Sequence, residues 1–156
     1  MRDSSRLVRA GLLTAVVDGL FSSALSVLAY RSTVSGLFQG VASVVLGSKA
    51  LDAGSATALL GLAIHVGVAF AWSAVFLFFV LRLRWIRGLL ASPYGPVKVG
   101  ALYGPFVWMV MSLVVIPLLV QRPPAIGFRW WVQLLGHVPF VGLPIAAASR
   151  GSRAQP

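Results

Sequence analysis

Three ionisable side chains stand inside long apolar stretches of this sequence: Asp18, His65 and His137. One carboxylate and two imidazoles are groups from which a ladder of proton-carrying sites can be built, since imidazole changes charge near neutral pH. Two histidines on separate helices are also the ligand set for a haem held from both faces, the one cofactor kept as an alternative. Other chemistry is scarce. The chain has no cysteine, which excludes disulfides, thiolate nucleophiles and cysteine-ligated zinc or iron–sulfur clusters. Structural metal sites draw on four ligands, more than these three, so no metal is expected. The serine of Ser35-Gly36 lies outside the apolar stretches, and no glycine loop follows a strand. No catalytic constellation emerges, and an enzyme is not the expected reading.

The elements that must position these groups carry small or polar residues at spacing four, which lines up one face of a helix. The rows are Thr14, Asp18, Ser22 and Ser26; Gly61, His65, Ala69 and Ser73; Gly100, Gly104, Trp108 and Ser112; and Gln133 with His137. Between helices in lipid there is no hydrophobic attraction, so association relies on close approach of small residues and on interhelical hydrogen bonds. The rows are therefore the expected contact faces, with Thr14, Ser22, Gly61, Gly100, Gly104, Ser112 and Gln133 as packing residues. Gly100 and Gly104 form a G-x-x-x-G pair that serves packing within one chain or between two copies. Pro105, Pro117, Pro139 and Pro144 should kink the later helices or free carbonyls for neighbours to satisfy.

The bilayer reading comes from composition. Of 156 residues 58% are hydrophobic and 10% charged, and the mean hydropathy is +0.91; a soluble domain carries about 25% charged residues. Apolar runs of about 20 residues separate the arginines, enough to cross about 30 Å of hydrocarbon. An all-α integral membrane bundle of four spans follows, at about 10–30, 57–81, 99–120 and 130–149, within a single domain over residues 1–150. A β-barrel needs alternating segments of about 10 residues, which are absent from the sequence. The start has a basic segment and a Val27-Leu28-Ala29 cleavage pattern, but its apolar run is too long for a signal peptide and contains Asp18.

The net charge of +10 raises nucleic acid as a partner. The basic residues sit at the ends of apolar runs, however, so lipid headgroups are the expected anion. Nine of the 13 Lys and Arg residues fall on the side of the two termini, which predicts both termini in the cytoplasm of a bacterial inner-membrane protein. The first outer loop contains an apolar stretch, residues 35–47, too short to span. A short helix, lying at the interface or dipping between the spans, is expected there. Ser92-Pro-Tyr-Gly-Pro96 reads as a turn before the third span, and residues 151–156 as a disordered cytoplasmic tail.

Depth along the helices, at about 1.5 Å per residue from the cytoplasmic arginines, puts Asp18 at about 13 Å, His137 at about 20 Å and His65 at about 25 Å. An Asp18–His137 pair with His65 nearer the outer opening is the expected arrangement.

The mid-span His65, the stretch from Lys98-Val-Gly100 to Val115-Ile-Pro117, the Pro123-Pro124 turn with Phe128 to Trp131 after it, and Gly136-His137 make residues 57–150 resemble the YagU-like family of uncharacterised bacterial inner-membrane proteins. The resemblance implies a small multi-helix inner-membrane protein and marks the two histidines as positions to test. It implies no activity, and Asp18 has no aligned counterpart.

Three functions compete. The first, which the residues favour, is a packing or accessory role, with self-association or a membrane-protein partner; the other two are alternatives to it. The second is a small proton-coupled transporter using Asp18 with His65 and His137, since one acid in the first of four helices looks like the small multidrug antiporters; those are shorter, carry glutamate and need balanced flanking charge. The third is a haem-binding membrane subunit.

Overall fold

A computed structural model of the chain describes residues 2–150, with side chains described from residue 3; the tail over 151–156 lies outside the described residues. Among the described residues every regular element is a helix. Four helices are long and apolar enough to cross a membrane, Asp3–Ala29, Ser55–Arg82, Gly95–Val120 and Phe128–Ser149. They match the expected spans, extended at most ends by a few residues. Leu20, Leu28, Leu59, Phe79, Leu118 and Leu135 turn outward and are more than 60% exposed. Such a belt is incompatible with an aqueous surface and suits acyl chains. The chain is an all-α, multi-pass membrane bundle.

The first span is helix α1 (Arg2–Ala24) with a widened last turn, Leu25–Ala29. Helix α2 (Val34–Leu46) fills the loop between the first and second spans. It begins where the Thr33 hydroxyl accepts from the Gly36 amide at 2.9 Å, and ends at Gly47, whose φ of 79° suits a residue without a side chain. Helix α3 (Ser55–Phe78) is the second span. The backbone carbonyl of Phe38 rests on Gly61, where any Cβ would collide with it. The Gln39 amide donates to the Gly54 carbonyl at 3.0 Å, and the Thr57 hydroxyl to the Ala50 carbonyl at 3.0 Å. The loop helix is thus packed on the N-terminal half of the second span, with Phe38 and Ala42 buried. Gly61 contributes to packing, but its partner is this loop helix rather than another span.

After the second span the chain forms helix α4 (Arg84–Ala91), which the turn signals around Pro93 did not foretell. It is amphipathic: Ile86 and Leu90 are buried while Trp85 and Arg87 are exposed.

Helices α5 (Gly95–Val110) and α6 (Ile116–Val120), joined by a widened stretch at Met111–Val115, make the third span. Helices α7 (Phe128–His137) and α8 (Leu143–Ser149), joined by another at Val138–Gly142, make the fourth. Pro117 has no amide hydrogen for the carbonyl of Leu113, and Pro144 none for that of Phe140. Both carbonyls lie in the widened stretches, where the ladder shifts from four-residue to five-residue spacing. Pro105, by contrast, sits inside α5 without such widening.

The third and fourth spans touch through backbone. A Cβ on Gly104 would strike the His137 carbonyl, one on Gly100 would lie 2.7 Å from the Leu143 nitrogen, and one on Gly142 would strike the Gly100 carbonyl. The Gly100/Gly104 pair is therefore used inside one chain. At the end of the bundle that carries the termini, Phe76, Val99, Tyr103, Val107, Val141 and Ile145 form the tightest core. Gly104→Ala is expected to lower stability by about 1–3 kcal/mol, read as an earlier midpoint on unfolding in mixed detergent micelles. Gly67→Ala, where a Cβ meets nothing within 4 Å, should leave that midpoint unchanged.

Candidate functional site

Above that core the four spans diverge around a cavity of about 340 Å³, within the range of small-molecule sites. Its polar lining comes from every span: Thr14, Asp18 and Ser22 from the first, His65 from the second, Trp108 from the third, Gln133 and His137 from the fourth. Aliphatic side chains make the remaining wall, and Leu37, Val41, Val44 and Val45 of α2 close one flank. The three ionisable groups of the spans thus share one chamber.

Their pairing differs from the sequence expectation. Nδ1 of His65 lies 4.0 Å from Oδ2 of Asp18, and the ion-pair distance goes to this histidine rather than to His137. Both imidazoles remain within electrostatic range of the carboxylate. The expected levels differ from these because the first span does not begin at Arg9: α1 continues past it to Arg2. Measured from the other ends, Asp18 is 11 residues from Ala29, His65 is 10 from Ser55 and His137 is 9 from Phe128. The three are level.

Each ring is held by a carbonyl. Nε2 of His65 donates to the Ala15 carbonyl at 3.1 Å, crossing to the first span. Gly19 leaves the room for this, since a Cβ there would be 3.4 Å from Nε2. The hydrogen bond leaves Nδ1 as the nitrogen facing Asp18. Nδ1 of His137 donates to the Gln133 carbonyl at 2.7 Å one turn back, and the ring leans on Trp108 with centroids 4.9 Å apart. These bonds also bear on haem. The nitrogen left on His65 faces Asp18 rather than a slot shared with His137, a poor fit for two-sided ligation. Among the described residues no three His, Asp or Glu side chains are grouped closely enough to hold a metal ion.

Three polar atoms around the chamber are buried without a hydrogen-bond partner among the described residues: Thr14 Oγ1, Asp18 Oδ1 and Trp108 Nε1. Thr14 is only 2% exposed. Each such atom costs about 1–3 kcal/mol unless something in the chamber bonds to it. The remaining packing candidates divide. Ser22 and Gln133 line the cavity, whereas Ser112 is buried and accepts from Trp130 Nε1 at 2.9 Å, tying the third span to the fourth. Trp108 stood in the third row of small and polar residues, yet nothing in its type distinguished it as a donor to the chamber. The α2 wall had no sequence signal beyond its apolarity.

No family model matches the chain, and neither a curated protein nor a solved structure matches it.

Two outcomes check this site. The chain lacks cysteine, so Ser22→Cys and Gln133→Cys should react with a small methanethiosulfonate reagent while Ser73→Cys, at a position 0% exposed, stays unmodified. Asp18→Leu should leave the thermal midpoint unchanged or raise it, because a charge at this depth costs about 3 kcal/mol; a marked fall would assign the carboxylate a structural role.

Proposed function

We propose that this chain is a bacterial inner-membrane protein with both termini in the cytoplasm, which binds a small lipophilic cation in the cavity between its spans and exchanges it for protons held by Asp18, His65 and His137. The observation that carries this reading is the gathering of Thr14 Oγ1, Asp18 Oδ1 and Trp108 Nε1, buried and unpartnered, around one chamber with both histidines. Helix packing explains Gly100, Gly104 and Gly142. It gives no reason to leave three polar atoms unsatisfied at one place. The aliphatic wall suits an apolar body, and the Asp18 carboxylate suits a positive charge at its tip. Histidines close to that carboxylate provide the protons such a cation would displace.

Protons and cation compete for one carboxylate, so cation affinity should rise with pH and fall on acidification. Trp108 also supplies an optical reporter, since a ligand in the chamber alters its surroundings.

A packing or accessory role is the second reading; the close glycine contact between the third and fourth spans, made within the chain, favours it. The resemblance of residues 57–150 to the YagU-like family fits either reading and assigns no activity.

The experiment is titration of detergent-solubilised protein with tetraethylammonium and tetraphenylphosphonium at two pH values, following tryptophan fluorescence and, in weak buffer, proton release. Saturable binding with proton release is expected, and Asp18→Asn should weaken it at least about tenfold, as loss of a charge partner at a desolvated site does. No binding of either cation, or binding indifferent to Asp18→Asn, would return the chain to the packing role.

A further inference from the structure

At the end of the bundle that carries the termini, a second cleft of about 440 Å³ opens between α1, α4 and the end of α8. Arg6, Arg87 and Arg150 line it, one from each of these places, over Leu77 and Leu81 from the last turns of the second span. We propose that this cleft binds the headgroup phosphate of an anionic phospholipid, with the acyl chains lying along Leu77 and Leu81. The inference is independent of the cation reading and of which way the bundle faces.

The charge arithmetic is local. Among the described residues Asp3 is the one acid lining the cleft; it pairs with Arg6 at 3.5 Å and is itself 72% exposed. Asp18 belongs to the inner chamber, and Asp52 follows the outer loop. Two guanidinium charges are left without a carboxylate among the described residues. Arg150 is also preset: its Nη2 donates to the Leu90 carbonyl at 3.0 Å, which holds the planar fork at the rim with its other donors free for a phosphate. The aliphatic floor distinguishes the cleft from a site for a soluble anion. Trp85, 59% exposed on the same short helix α4, is the residue type that settles at headgroup level. A basic pocket of this form, between helices at headgroup depth, is what an anionic lipid recognises.

The test is native mass spectrometry of the full chain released from nanodiscs of equal parts phosphatidylglycerol and phosphatidylcholine. Retained phosphatidylglycerol is expected to exceed phosphatidylcholine, and Arg87→Ala should reduce that preference about fivefold. The Arg87 guanidinium has no hydrogen-bonded or ionic partner among the described residues, so this variant should fold; Arg150→Ala, which also loses the side-chain bond to Leu90, is read beside it with its thermal midpoint. Arg84→Ala and Lys98→Ala, basic positions at the same end but outside the cleft, should leave the preference intact. No preference in the unmodified chain, or an equal loss in the Arg84 and Lys98 variants, would overturn the site. Displacement of the retained lipid by millimolar inorganic phosphate would overturn its assignment to a lipid.

Discussion

In hydrocarbon a polar group that loses its partner cannot turn to water. Most of this bundle obeys that constraint by bonding within its own helices or to a neighbouring backbone. Tyr103 donates to the Trp72 carbonyl at 2.7 Å, Ser73 to the Ala69 carbonyl at 2.8 Å, and Ser149 to the Ile145 carbonyl at 2.6 Å. Against this background the unpartnered atoms of Thr14, Asp18 and Trp108 stand apart, because all three belong to residues that line one chamber; the hydroxyl of Tyr30, away from it, is also unpartnered among the described residues. The two ends of the molecule therefore serve different purposes. Around Phe76, Tyr103 and Ile145 the spans close on each other, while nearer the loop helix they separate and leave polar residues lining a shared volume.

Backbone irregularity lies where the spans diverge. The widened stretch at Met111–Val115 contributes Met111 and Val115 to the chamber, and the one at Val138–Gly142 contributes Val141. A five-residue turn rotates the residues beyond it relative to a regular helix, so one span can present Gly136 and His137 inward and still bring Gly142 against Gly100. Phe21 packs on Gly136 and stacks on Phe140 at 4.2 Å, locking the first span to the fourth beside the histidine. Close packing and the open chamber thus come from the same proline-bearing segments. The loop helix completes the chamber. It docks through Gly61 and sets the Phe38 ring 5.9 Å from the His65 ring, edge on.

The end of the bundle away from the termini is held by different means. Arg129 sits over the Tyr30 ring at 4.1 Å from its centroid, joining the end of the first span to the start of the fourth. The arginine-rich end relies on α4, whose buried Ile86 and Leu90 extend the core beneath the spans. Arginine accordingly acts in two ways: stacked on an aromatic ring at one end, and lining a cleft at the other.

Much of this was legible in the residues themselves. Four apolar runs of span length, the inward rows at spacing four and the lone acid with two histidines follow from helical periodicity and bilayer thickness, both local properties of a chain. Helix α4 escaped notice because eight residues rich in arginine carry too short a periodic signal beside a turn motif. Only the tertiary structure decided that Asp18 meets His65 at ion-pair distance, that Gly61 seats a loop helix, and that the Gly100/Gly104 pair is used within the chain. The reason is physical: a side chain's level in the bundle depends on where each helix starts relative to the others. Packing between segments far apart in sequence sets that offset, and no stretch of sequence read alone contains it.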